Sequence, residues 1–364
     1  MKIRRVLIRN FKSIRELDFE LKDINVLIGA NGVGKSNFIS FFKFLNQVVE
    51  GTLSTYVAQK GGADNFLYFG KKQSTTMSLG ILFENNNLFN RYSCKLLPTE
   101  DEKFIFEIQY PQFSRDILDN SKWYTADTLT NGMEESDIGN IKSGIASYIP
   151  LFMSGIKIFH FHDTSDTAYV KGFSDINDNR KLREDASNLA AFLYYLQEKH
   201  TDSFKQIEKT ICRIAPFFDN FILHPSLLIP DKIRLEWKEK DSDKYFNAHH
   251  LSDGTLRMIC LTTLLLQPNP PSAIIIDEPE LGLHPSAINI LSGLIQSASE
   301  KTQILISTQS VTFINNFMPE DIIVVERRNN QSEFKRLDSE KLEDWLEEYG
   351  LGEIWEKNII GGRP

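Results

Sequence analysis

This sequence predicts an α/β fold organised around a parallel sheet, and three observations carry that prediction. An apolar, strand-like run at 24–28 leads into a glycine-rich turn and then a helical pattern from Lys35 to about Glu50. Downstream, strand and helix patterns alternate: helix 254–267, a fully apolar strand 272–276, helix 285–299, strand 303–307 and one more helix. Between these ends, three strand-like runs at 77–84, 91–97 and 103–110 follow one another as an antiparallel meander would.

The remaining elements follow in order. Short β-type segments at 3–8, 17–21 and 24–28 open the chain. Residues 51–76 read as loops, with Gly61-Gly62 and a second turn near Gly70-Lys71-Lys72. Residues 111–155 are polar and end in a helix, and 156–162 is a strand. Helical periodicity runs through 186–218, marked by Leu189, Phe192, Leu193 and Leu196, then Phe204, Ile207, Ile211 and Ile214. Residues 233–237 form a strand. No internal repeat or sustained heptad is present, which excludes a long coiled coil.

Composition narrows the class. A chain of 364 residues, 41% apolar and 25% charged, can bury a sizeable core as two domains or as one with an insertion. Its formal net charge of −8 excludes a general nucleic-acid coat while leaving room for a local basic patch. Cys94, Cys212 and Cys260 are odd in number and widely spaced, forming neither a disulfide framework nor a zinc pattern, which suits a reducing cytosol. No apolar run is long enough to span a membrane. The N-terminus has basic residues but only a three-residue apolar stretch, so it reads as a first strand and not a signal peptide.

Two motifs carry phosphate chemistry. Gly29-Ala-Asn31-Gly32-Val33-Gly34-Lys35-Ser36 fits G-x-x-x-x-G-K-[ST] between an apolar strand and a helix. Glycines let backbone N–H groups turn inward around a β-phosphate, Lys35 reaches the β/γ-phosphates, and the Ser36 hydroxyl suits Mg²⁺. Asn37 opens the helix behind them. The apolar strand ending in Asp277-Glu278 is the acidic counterpart: Asp277 holds Mg²⁺ with Ser36, and Glu278 acts as general base on the attacking water. Mg²⁺ and a ligand bearing β- and γ-phosphates are therefore expected.

Leu251-Ser252-Asp253-Gly254-Thr255-Leu256-Arg257 precedes a helix, 25 residues before Asp277. It resembles the LSGGQ-type signature of ABC ATPases, with Asp253 where the first glycine is common. That resemblance implies an ABC-ATPase head, a P-loop NTPase with an N-terminal β-rich lobe and a helical insertion between Walker A and signature. It also implies that Ser252, Asp253 and Gly254 act on the nucleotide of a second subunit, through helix-terminus anion binding. On this basis 1–110 is an N-terminal ATPase lobe, 111–230 a mostly helical insertion plus one core strand, and 231–364 a C-terminal lobe.

Asn10-Phe11-Lys12-Ser13 resembles the N-F-[KR]-S turn of SMC, RecF and OLD-like ATPases. The resemblance places Lys12 and Ser13 near the nucleotide, while Phe11 either approaches it or packs in the core. The 282–285 segment resembles a D-loop. Gln309 stands where that family carries its switch histidine, 31 residues after Glu278. Glutamine can donate to a γ-phosphate but does not titrate near neutrality, which implies slow or partner-dependent hydrolysis. His284 reads as a turn histidine. His162 and Asp163 are the candidates for a Q-loop, with a satisfied strand-end pair, His160 and His162, as the alternative; they do not predict zinc.

The chain is similar to single-chain antiphage-defence ATPases related to the OLD ATPase half. Further resemblances are Gly61-Gly62-Ala-Asp-Asn-Phe, Ser187-Asn188-Leu189-Ala190 and the tail Trp355-Glu-Lys-Asn-Ile-Ile-Gly-Gly-Arg-Pro364, which either docks or forms a loose end. After residue 330 a short strand, one acidic helix and the tail are expected, too little for a TOPRIM domain, and Asp241-Ser-Asp243 reads as a hairpin turn, so no intrinsic nuclease is expected. Lys171, Arg180, Lys181 and Arg183, set among Asp175, Asp178, Glu184 and Asp185, read as a solvated mixed face. The expected protein is a cytoplasmic homodimer or higher oligomer that hydrolyses ATP with Lys35, Glu278 and Gln309. It serves as a sensor or scaffold in bacterial defence or DNA maintenance and gates a separately encoded effector. A DNA-binding repair ATPase is the alternative; a transporter subunit is a weaker one, because the Asn10-Phe11-Lys12-Ser13 turn argues against it, and no membrane partner is expected.

Overall fold

The computed structural model describes residues 1–85, 88–116 and 122–363. Strands β1 (Lys2–Phe11) and β2 (Ile14–Glu20) form a hairpin, followed by β3 (Ile24–Ile28), helix α1 (Lys35–Glu50) and helix α2 (Leu53–Gln59). The meander β4 (Met77–Asn85), β5 (Leu88–Pro98) and β6 (Phe104–Ser114) ends in the two-residue β7 (Tyr124–Thr125). Next come α3 (Tyr148–Ser154), β8 (Ile156–Phe159), β9 (Ser174–Asp175), α4 (Leu189–Lys199), α5 (Thr201–Ile214) and β10 (Phe218–Ile222). Three short strands, β11 (Lys232–Ile233), β12 (Glu236–Glu239) and β13 (Tyr245–Asn247), lead to α6 (Asp253–Leu266). The chain then runs through β14 (Ala273–Asp277), α7 (Pro285–Ser299), β15 (Gln303–Thr308), α8 (Val311–Ile314), β16 (Ile322–Arg328), β17 (Gln331–Arg336), α9 (Glu343–Leu346) and α10 (Leu351–Glu356).

Two six-stranded sheets organise these elements. One, ordered β2-β1-β4-β5-β6-β7, is antiparallel throughout. The other, ordered β17-β16-β3-β15-β14-β8, is parallel except for β17. Strand alternation divides the parallel sheet between two cores. Leu27, Ile275, Leu305 and Val325 face a core shared with α1 and the antiparallel sheet. Val26, Ile28, Ile274 and Ile306 face the helical side, with Leu256 and Ile259 of α6 and Leu291 of α7. The Phe-rich helix α1 is wedged between the two sheets. Its Phe44 meets the rings of Phe11, Phe66 and Phe104, contacts that add to plain apolar burial.

The sequence-predicted elements depart from this fold in several places. Residues 51–76 contain α2, whose first amides, on Leu53 and Ser54, donate to the Glu135 carboxylate at 2.9 and 2.7 Å; this helix cap comes from far along the chain. The 156–162 strand stops at Phe159. The 233–237 run is split, because Ile233 pairs with Ser174 of β9 while Trp237 pairs with Phe221 of β10. The 111–230 insertion contributes β7, β9 and β10 as well as helices and β8, and β6 runs through position 110. Among the described residues, no helix is long and apolar enough to cross a membrane.

Candidate functional site

The site sits at the carboxyl ends of adjacent parallel strands, where open α/β sheets bind ligands. Between β3 and α1 the chain turns through Gly29, Gly32 and Gly34, with φ of 146°, 77° and 118°. These left-handed values suit glycine. Space demands it too: a Cβ on Gly29 would lie 2.3 Å from the Val325 carbonyl oxygen, and one on Gly34 would lie 2.1 Å from Ser332 Oγ. Lys35 starts α1 and is buried. Its ammonium donates to the Gly29 carbonyl and, at 3.0 Å, to that of Ala30. Burial pushes its pKa down, and Glu278, Asp277 and Glu280 act in the opposite direction. Those three carboxylates are therefore close enough to be felt by the loop lysine. Ser36 and Asn31 are exposed at the loop's outer face, and Val33 is half-buried.

The acidic end of β14 faces this loop. Asp277 accepts a hydrogen bond from Ser307 Oγ on β15. Glu278 has φ 42°, so the strand's side-chain alternation ends there; its amide donates to the Ser307 carbonyl at 2.8 Å. The Glu278 carboxylate accepts from the Gln309 side-chain amide. Glu280 was not singled out from the sequence, yet it is buried beside them. One of its oxygens accepts from Thr308 Oγ1, and the other, Oε2, has no hydrogen-bond partner among the described residues. Burial pushes its carboxyl up to about 7. Ser36 and Asp277 are hard oxygen donors of the kind Mg²⁺ takes, two protein ligands that leave room for phosphate and water.

The turn before β2 supports the loop from behind. Ser13 Oγ lies 2.7 Å from Ser332 Oγ and accepts from Asn37 Nδ2 at 2.7 Å, while Ser332 Oγ donates to the Val33 carbonyl at 2.5 Å. Ser13 and Asn37 thus brace the phosphate loop. Ser332 comes from β17 and was invisible to local motif reading. Lys12 lies over the rings of Phe11 and Phe66 at 5.7 and 5.4 Å. Phe11 is fully buried, which decides its alternatives in favour of packing.

The helix that follows Leu251 begins with Ser252 as its cap: Ser252 Oγ accepts from the Thr255 amide at 3.2 Å. Gly254 packs on the turn after Glu278, where a Cβ would come within 2.8 Å of the Gly282 carbonyl oxygen. Arg257 pins three segments together. Its buried guanidinium donates to the carbonyls of Phe161 at 3.0 Å, His162 at 3.3 Å and Leu281. His162 and Asp163 are exposed beyond β8, and Asp163 holds Ser165 through its hydroxyl and amide. Of this group it is His160, lowered by burial and Lys43, whose titration also feels Asp277. His284 caps α7, accepting from the Ser286 amide. Asp241, with φ 59°, lies in the turn between β12 and β13.

Other sequence features find structural places. Lys171 departs from the solvated face expected of it: its side chain is only 5% exposed and reaches Asp253. Asn188 is buried and ties the 178–183 loop through the carbonyls of Asp178 and Lys181 and the amide of Arg183. The tail docks. Trp355 is buried and donates to the Gly362 carbonyl at 2.6 Å, and a Cβ on Gly362 would come within 3.6 Å of Gly29 Cα. Pro364 lies outside the described residues.

Comparison with known proteins bears on the family and the fold. Residues 24–315 match the family described as "AAA domain, putative AbiEii toxin, Type IV TA system". The Old nuclease of Escherichia phage P2 is 23% identical over 383 residues, covering 93% of this chain and 61% of the nuclease, so the chain spans about three-fifths of that relative. An Smc head bound to the C-winged helix domain of ScpA is similar with a TM-score of 0.64 and 17% identity, over 94% of this chain and 100% of that one. A second Smc head, with an extended coiled coil and bound to the C-terminal domain of ScpA, derived from Pyrococcus furiosus, gives 0.57 and 15% over 95% and 99%. The Smc head with a coiled coil and joint from Pyrococcus yayanosii gives 0.54 and 13% over 95% and 99%. At these identities the structural likeness is one of fold.

Proposed function

Because the chain belongs to this AAA domain family and has the fold of Smc heads, we propose that it is an ABC-type ATPase of the SMC/OLD kind. In this reading an ATP-sandwiched dimer acts as a sensor or scaffold in bacterial defence or DNA maintenance and gates a separately encoded effector. One observation carries the proposal: the Gly29–Ser36 loop, Asp277 and Glu278, and Gln309 converge at the ends of neighbouring strands, close enough for the carboxylates to influence Lys35.

The residues divide the work of phosphoryl transfer. Lys35, drawn from the Gly29 and Ala30 carbonyls, pairs with β- and γ-phosphate oxygens, and the loop amides cradle the β-phosphate. Ser36 and Asp277 would hold Mg²⁺, which supplies charge neutralisation on the phosphates. Glu278 orients the attacking water and takes its proton, and Gln309 fixes the Glu278 carboxylate. Ser252 and the amides at the start of α6 act on the γ-phosphate held by the second subunit. ATP then favours the closed dimer and hydrolysis loosens it. We assign no nuclease chemistry to these residues; the relative named a nuclease extends well beyond the matched part. Two of the similar Smc heads are bound to ScpA domains, which supports partner binding as the output of such a head.

A DNA-directed role is the second reading. Lys12 is lowered by burial and by the nearby charges of Lys60 and Lys43, so three cations share one region. Steady-state ATP turnover with and without duplex DNA separates the readings, with Lys35→Ala as the blank. Slow turnover indifferent to DNA supports the effector scaffold, and strong stimulation supports the DNA motor.

A further inference from the structure

Asp253 puts a negative charge at the start of α6, where the proposed function needs the helix to receive a γ-phosphate. Two anions on one helix terminus repel, and that repulsion works against the helix dipole and against Ser252. The structure supplies a counter-charge. Lys171 sits on a single 3₁₀ turn, Tyr169–Lys171, packed against the Ala248–His250 turn that runs into the signature. Its side chain is 5% exposed, and its ammonium lies 4.0 Å from the Asp253 carboxylate and 3.8 Å from that of Asp166. Both distances exceed hydrogen-bond length, so the ammonium is held near the helix start without being locked to either acid. Asp166 is 94% exposed and strongly screened by water, whereas Asp253, at 71%, lies at the helix terminus itself. A further acid that feels Lys171, Asp163, is engaged by the Ser165 hydroxyl and amide.

We propose that Lys171 is a positioning residue of the signature site: its buried ammonium neutralises Asp253 and so allows a signature with an acid at that position to accept the γ-phosphate of the second subunit. This rests on the two-subunit reading above. The anion it serves is a nucleoside triphosphate held by another copy of the chain.

A double-mutant cycle on turnover tests it. Lys171→Met should lower kcat about three- to fivefold, while the Kd for ATP, set by the subunit's own Gly29–Ser36 loop, changes less than about twofold. In the Asp253→Gly background the same change should have little effect, because no charge remains to be neutralised. Lys171→Arg should retain most of the turnover. Equal losses from Lys171→Met in both backgrounds, or no loss in either, would overturn the proposal. Ser252→Arg is the control on the underlying reading: normal turnover in that variant sinks the two-subunit site itself. Lost turnover there, beside an unaffected Lys171→Met, sinks only the role of Lys171. Unchanged thermal unfolding and ATP affinity in each variant exclude misfolding as the cause.

Discussion

The side-chain amide of Gln309, at the end of β15, donates a hydrogen bond to the carboxylate of Glu278, at the end of neighbouring β14. The bond ties the residue at the switch position to the proposed general base. An amide donor orients a carboxylate without titrating near neutrality. Gln309→Ala should therefore lower ATP turnover by ~10–100-fold, less than the roughly 10²–10⁴-fold that a general base itself contributes, with ATP affinity nearly unchanged. Gln309→His should keep part of the turnover and introduce a pH dependence between about 6 and 7. Single-turnover rates across pH check both. A pH-independent histidine variant would count against the pairing.

Lys35→Ala should raise the Kd for ATP by at least ~100-fold. The variant loses charge-assisted contacts to phosphate, which are about twice as strong as neutral ones. Fluorescent-nucleotide titration reads this directly, and normal affinity would remove the phosphate-loop assignment.

Much of this was legible because the chemistry is local. The loop from Gly29 to Ser36, the acidic end of β14 and the Ser252 turn are contiguous motifs whose backbone demands fix their residue types. The apolar runs at 24–28, 272–276 and 303–307 announce buried parallel strands. What escaped is non-local or short. Strand β16 has an apolar start, Ile322 to Val325, followed by Asn329 and Asn330 with φ of 48° and 63°. That Asn-Asn turn is the signal that could have disclosed the β16–β17 hairpin. Ser332, which braces the loop, can be found only once that hairpin is placed beside β3. Lys171 reads as solvated when grouped with Arg180, Lys181 and Arg183 among the acids at 175–185, yet its neighbour in space is the start of α6. Glu280 reads as one more acid after Glu278, and only burial distinguishes it.

Glu280 makes stability depend on pH. Its carboxyl titrates at about 7 in the folded chain against an ordinary 4.5. A raised folded pKa means that the folded state holds the proton more tightly. This contribution is present below about pH 4.5 and is lost as pH rises through about 7. The difference corresponds to roughly 3 kcal/mol. Wild type should lose stability to urea between pH 5 and 8, and Glu280→Gln should flatten that decline. An identical pH slope in both proteins would rule out Glu280 as its source.

Arg257 holds the signature helix to the turn after Glu278 through the Leu281 carbonyl and to the end of the β8 region through Phe161 and His162. Arg257→Met leaves those acceptors without their charged donor, at a cost of about 3 kcal/mol. A lower thermal midpoint, together with slower turnover at retained ATP affinity, is expected. Full turnover would mean that the clamp is structural only.

In the proposed mechanism ATP joins two copies through the loop of one and the Ser252 helix of the other. The most direct measurement is the solution mass of Glu278→Gln by light scattering, with and without ATP and Mg²⁺. ATP should double the mass relative to the nucleotide-free protein, and adding Ser252→Arg should abolish the change. A Glu278→Gln protein that binds ATP yet shows the same mass with and without it would mean that no ATP-sandwiched dimer forms.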